Sequence, residues 1–86
     1  PLRLPPEQIE LMAEVEHNRW NMEKLLLGYR KPTPEEEENC KDNAVRKEYK
    51  TKRFVHTDIR PYYQLDEGTK EYDRCISECL PLIAEQ

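Results

Sequence analysis

Apolar and polar positions in the first third of the chain recur with a helical beat. At 100° per residue, Leu11, Val15, Met22, Leu25 and Leu26 fall on one stripe, while Ile9, Trp20 and Leu27 fall on nearly the opposite side. The spacing predicts a helix opening at Pro6, a favoured first-turn residue, with Glu7 complementing the positive helix end. It should run to Leu27, where Gly28 can adopt the left-handed cap conformation. Glu16 and Lys24 lie one turn before and one turn after Trp20 and border the second stripe. A helix that is apolar on two sides must pack against two things. One is its own core; a loop, a partner or a ligand remains for the other.

The next block opens with Thr33, Pro34 and Glu36 in the spacing of a capping box, which predicts helix from Pro34 to about Tyr49. Its apolar stripe is thin (Cys40, Val45, Tyr49), so an exposed, fraying helix is expected within a variable charged insertion covering residues 32–53. Phe54, Val55, Ile59, Tyr62 and Tyr63 then bring β-branched and aromatic bulk, and Pro61 forbids a helix through them. An extended loop or short strand is expected there. Asp66 can cap a last helix, on which Leu65, Tyr72, Ile76, Cys79 and Ile83 share a side, joined by Cys75 and Leu80. Pro81 should kink or end it. The two periodic segments give a mainly α fold: the Leu11–Val15–Met22–Leu26 stripe should meet the Tyr72–Ile76–Ile83 side, with the loop around Ile59, Pro61 and Tyr62 crossing one end.

Composition narrows this picture. Charged residues are 37% and hydrophobic ones 36%, so the core must be small. A net charge of -4 excludes a generally basic nucleic-acid binder but not a local basic patch. No apolar run approaches the ~20 residues of a membrane span, and no signal-peptide pattern opens the chain. The sequence begins at Pro1, which suggests a single domain over 1–86 taken from a longer protein, with 1–5 as an N-terminal extension. Three cysteines, an odd number without framework spacing, suggest reduced thiols and a cytoplasmic setting, with no direct membrane contact.

The motifs of catalysis and metal binding are missing. Neither G-x-S-x-G, a glycine-rich phosphate loop nor H-E-x-x-H occurs, and both histidines are distant in sequence from every cysteine. Cys75 and Cys79, one helical turn apart, lack paired zinc spacing and read as small core residues. No enzymatic activity, cofactor or metal is therefore expected. Arg46, Lys47, Lys50, Lys52 and Arg53, interleaved with Tyr49 and Phe54, could bind single strands, or could form a solvated helix end balanced by the preceding glutamates. Trp20 could be core, with its indole N–H partnered. Its company suggests a second reading: Trp20 as a flat face, Glu16 as acceptor, Lys24 facing an anion, and Tyr29 and Arg30 following the cap.

Three motifs in order carry a family resemblance: E-H-x-R-W-x-x-E-K-L-L-x-G-Y (Glu16 to Tyr29), H-x-D-I-x-P-Y-x-x-L (His56 to Leu65) and K-E-Y-D-R (Lys70 to Arg74). Together they resemble the ryanodine receptor repeat, or RyR domain, of the bacterial single-domain type. Two departures stand out: Thr57 follows the histidine where the family commonly has proline, and residues 32–53 are longer than usual. The resemblance implies a mostly helical fold with two long antiparallel helices and no enzymatic activity. It implies pseudo-twofold pairing, so a lone copy is a candidate homodimer, and it implies an adenine-nucleotide or nucleotide-signal ligand. The ligand site expected on this reading comprises Glu16, Trp20, Lys24 and Tyr29, with Arg60, Tyr62 and Arg74 contributing. The function expected is a non-catalytic ligand-sensing or interaction module. The alternatives are a structural interdomain or homodimerisation module without a ligand and, third, single-strand nucleic-acid binding through 46–60.

Overall fold

The computed structural model describes the backbone of residues 4–84 and side chains as far as Cys79. The chain is mainly helical, and no strand forms among the described residues. Helix α1 spans Pro6–Leu26, α2 Pro34–Asn39, α3 Asn43–Glu48 and α4 Glu67–Ala84. A π turn at Tyr49–Arg53 follows α3, and a 3-10 turn at Tyr62–Gln64 precedes α4. No helix is long and apolar enough to cross a membrane.

Contacts group the residues into two compact units, Pro1–Trp20 with Pro61–Gln86, and Asn21–Arg60. In the first unit, Ala13 is fully enclosed and packs with Tyr62 and Leu65. From α1 the unit buries Ile9, Ala13 and His17; from α4 it buries Asp73 and Ser77. Arg74 reaches from α4 to Glu10 on α1 with two hydrogen bonds, 2.8 and 3.2 Å long. The Asp66 carboxylate accepts the Thr69 N–H at 2.7 Å and caps α4 as its position suggests.

This arrangement reverses the expected core. Leu11 is 64% exposed, Val15 66% and Leu26 81%, and Met22 and Leu25 are exposed too. On α4, Tyr72 is 69% exposed and Ile76, Cys75 and Cys79 also face solvent. The predicted packing of one leucine-rich stripe on the Tyr72–Ile76 side therefore does not occur. Ile9, Ala13 and His17 of α1 and Asp73 and Ser77 of α4 take the buried positions instead, and Ala13 packs with Tyr62 and Leu65. Two cysteines expected inside are outside; only Cys40 is buried. The side chains of Leu80 and Ile83, named for the same core, lie outside the described residues. Pro81 does not end α4, which runs on to Ala84.

In the second unit the helix after Thr33 is two helices rather than one. The capping box is complete, with Glu36 N–H donating to Thr33 Oγ1 and Thr33 N–H to the Glu36 carboxylate. Then Asp42 accepts the N–H groups of Ala44 and Val45 at 2.9 and 3.1 Å, a second cap that restarts the chain as α3. The thin stripe is not frayed. Cys40, Tyr49 and Val55 form a buried cluster with Val45 against it. Val55 is 1% exposed, and its expected strand is a single parallel bridge to Arg30. Gly28 takes φ +94°, the left-handed conformation anticipated for the end of α1. Phe54 also has positive φ, 55°, an uncommon conformation for a bulky side chain.

Candidate functional site

The seven residues expected to form one ligand site divide between the two units. Glu16, Trp20, Tyr62 and Arg74 belong to the first; Lys24, Tyr29 and Arg60 belong to the second.

In the first unit, Trp20 is half-buried and its ring lies 5.5 Å from that of His17 at 17°, a stacked pair. His17 is 2% exposed, and its ring is also 6.3 Å from that of Tyr62. Its Nδ1 stands 3.6 Å from an Asp73 carboxylate oxygen, itself buried. Helical register explains the placement: His17 follows Ile9 and Ala13 at eight and four residues, so it shares their inward phase. Sequence reasoning assigned no role to His17 or Asp73. The signal was that phase, which puts polar groups where the helices turn inward.

Several other charged groups of this unit pair with one another. Arg19 donates to Glu16 from Nε at 3.0 Å and from Nη2 at 2.8 Å, and these bonds hold the Glu16 carboxyl below its usual range. Arg74 binds Glu10 in the fork-to-fork manner and extends Nη1 to Glu67 at 3.1 Å and Glu71 at 3.3 Å. Those carboxylates, Glu10 foremost, hold the guanidinium more firmly protonated than usual. Burial, reinforced by Glu10, pushes the Tyr62 phenol up to about 12. The Lys70 ammonium lies 5.6 Å above the Tyr62 ring.

In the second unit the Lys24 ammonium lies 5.2 Å over the Tyr29 ring, and Phe54 meets that ring edge-on at 5.2 Å. His56 is 6.3 Å away, and burial pushes its pKa down, with Lys50, Lys24 and Arg46 adding to the effect against Asp58. Arg60 donates Nε to the Thr57 carbonyl at 2.6 Å and pairs with Glu37. The structure also builds a cluster that sequence reasoning read only as a cap. Glu36 receives Arg30 at 2.7 and 3.0 Å, Arg53 at 3.4 Å and the Thr33 N–H, and Arg30 above all brings its pKa down to about 2. Arg53 covers the buried Tyr49 ring at 4.0 Å. In the basic segment, then, Phe54 rather than Tyr49 keeps an accessible ring.

No family model matches the chain, and comparison with curated proteins and with solved structures yields no match. The functional reading rests on the chain's own geometry.

That geometry offers two features. One is the His17–Trp20 stack, whose buried His17 ring nitrogen stands beside the buried Asp73 carboxylate. The other is apolar surface: α1 and α4 each present large apolar side chains to solvent, while α1 buries Ile9, Ala13 and His17 and α4 buries Asp73 and Ser77. Among the described residues, no group of three or more His, Cys, Asp and Glu side chains is arranged to hold a metal ion.

Proposed function

We propose that the chain is a non-catalytic interaction module of the RyR-domain type, acting in the cytoplasm by docking its outward apolar helix faces on another protein surface. The observation that carries this reading is α4, where Tyr72, Cys75, Ile76 and Cys79 face solvent while Asp73 and Ser77 face inward. Water disfavours such a face, and covering each large side chain contributes about 1.5 kcal/mol or more before the costs of association. In this reading α1 and α4 run antiparallel, and their mutual contact uses the small and polar positions so that the larger ones remain for a partner. The ion pair between Arg74 and Glu10 supports the same view, since it ties α4 to α1 within the module itself.

A dye whose fluorescence rises on apolar surface should report the dilute protein strongly. Leu11→Lys with Ile76→Lys should lower that signal and leave the far-ultraviolet circular dichroism unchanged. A wild-type chain that never brightens the dye would remove the basis for this proposal.

The Trp20–His17 stack favours a second reading, a ligand-sensing module that accepts an adenine nucleotide or nucleotide-derived signal on the outer indole face. Here Trp20→Ala, with its helical circular dichroism preserved, should abolish the rise in melting temperature caused by nucleotide. Absence of any shift in the wild type with adenine or guanine nucleotides would end that reading.

A further inference from the structure

Phe54 occupies a position that backbone preference alone would not give it. It closes the π turn at Tyr49–Arg53 in the left-handed region, with φ 55° and ψ 42°. Glycine or asparagine ordinarily sits there, because a larger side chain crowds the following carbonyl. Two hydrogen bonds fix the strained turn: Arg30 N–H donates to the Phe54 carbonyl at 2.9 Å, and Val55 N–H to the Tyr49 carbonyl at 3.2 Å. The strain does not serve to bury the ring. Phe54 stays 47% exposed while the adjacent Val55 is 1% exposed. Strained residues of this kind gather at sites of ligand contact.

Positive charge gathers at the same place. The Tyr29 ring meets Phe54 edge-on at 5.2 Å, with the Lys24 ammonium 5.2 Å over it and the His56 ring 6.3 Å away. Arg46 and Lys50, one helical turn apart, both act on His56: after burial, Lys50, Lys24 and Arg46 push its pKa down, against Asp58. Among the described residues neither Arg46 nor Lys50 pairs with a carboxylate, and Arg46 donates to the neutral Asn43 side chain at 3.0 Å. Their charge is not cancelled, unlike that of Arg30 and Arg53 on Glu36. Across Asn21–Arg60, ten lysines and arginines outnumber eight carboxylates, whereas the rest of the chain carries four against ten. This unit is basic within an acidic chain.

We propose that the second unit binds single-stranded nucleic acid, an unpaired base stacking on Phe54 while the phosphates pass Lys24, Lys50 and Arg46. Every base has a π face, so an exposed ring beside cations takes a strand without needing a particular sequence. A duplex keeps its bases stacked on one another and offers Phe54 nothing. An acidic peptide would satisfy the cations but bring no planar partner for the ring. The site goes beyond the docking reading and does not rest on it.

The test is fluorescence anisotropy of a labelled oligothymidine of about 15 nucleotides, titrated with the full chain at about 20–200 mM salt. Binding is expected at low salt, with a slope of log affinity on log salt near about −2, since each of three phosphate contacts contributes about −0.7. Phe54→Asn should keep its helical circular dichroism, because asparagine tolerates the left-handed backbone. It should weaken strand binding at least about 5-fold at an unchanged slope, leave duplex binding as it was, and be matched by a Phe54→Tyr variant of full affinity. Arg46→Gln with Lys50→Gln should instead flatten the slope to about −0.7. No binding at the lowest salt, a strand indifferent to Phe54→Asn, equal loss for strand and duplex, or a slope untouched by the two glutamines overturns the proposal. Capture by phosphatidylserine vesicles without oligonucleotide binding overturns it in favour of a membrane surface. Should Phe54→Asn unfold, the slope of the two-glutamine variant decides.

Discussion

Glu36 shows how one side chain can organise its neighbourhood. It caps α2 through Thr33, receives the fork of Arg30 and touches Arg53, so its carboxylate is the preferred form in the folded chain. Its pKa falls from 4.5 to about 2 on folding, so the stability it contributes is fully present above pH 4.5 and is lost as pH drops toward 2. Glu36→Gln should therefore lower stability at neutral pH and flatten the acid limb of a pH–stability curve; an unchanged acid limb would show that the ion pairs carry no stability. The capping box around this residue was legible in the sequence, because Thr33, Pro34 and Glu36 lie within one turn. The two arginines were not, since Arg53 comes seventeen residues later and joins only through tertiary contact. The same distinction applies at the candidate site. Trp20 drew notice by its rarity, whereas its stacking partner His17 and the buried Asp73 emerged from the fold.

At the level of the helix, periodicity identified α1 and α4 and the phases of their stripes, but it did not say which phase turns inward. Counting large apolar residues selected Leu11, Val15, Tyr72 and Ile76, all of which are exposed. The inward phase of α1 is Ile9, Ala13 and His17, which is poorer in bulk. The difference can be measured. Leu11→Ala should alter stability by no more than about 0.5 kcal/mol, as expected for an exposed position. Ala13→Leu should cost about 1–3 kcal/mol or more, since Ala13 is fully enclosed and extra methylenes must force its neighbours apart. Chemical denaturation of the two variants decides the matter, and the opposite ranking would restore the leucine stripe as core. The second unit teaches a related lesson. A continuous helix from Pro34 looked favourable in propensity, yet Asp42 offers two N–H groups a competing acceptor, and the chain divides there into α2 and α3.

For the whole molecule, the balance of charge is local rather than global. A net charge of -4 conceals ion pairs gathered around Glu36 in one unit and around Arg74 in the other. Alkaline conditions should expose the second cluster. The Tyr62 phenol is raised from 10 to about 12, so its neutral form is the one folding favours. The stability it contributes is present below pH 10 and lost as pH rises through 12. Tyr62→Phe should shift or flatten that limb in a thermal-unfolding series; a limb identical to wild type would mean that another group controls it. The sequence by itself determined what is local: where α1 begins, the left-handed Gly28, the Thr33 box, the Asp66 cap and the mainly helical class. These depend on dihedral preference and on hydrogen bonds within a few residues, which neighbouring side chains specify. Tertiary structure alone decided which stripe each helix buries, the division of the seven site residues between two units and the outward apolar face of α4. Those outcomes depend on contacts between residues distant in sequence, such as Ala13 with Tyr62 and Leu65, which no single helix records.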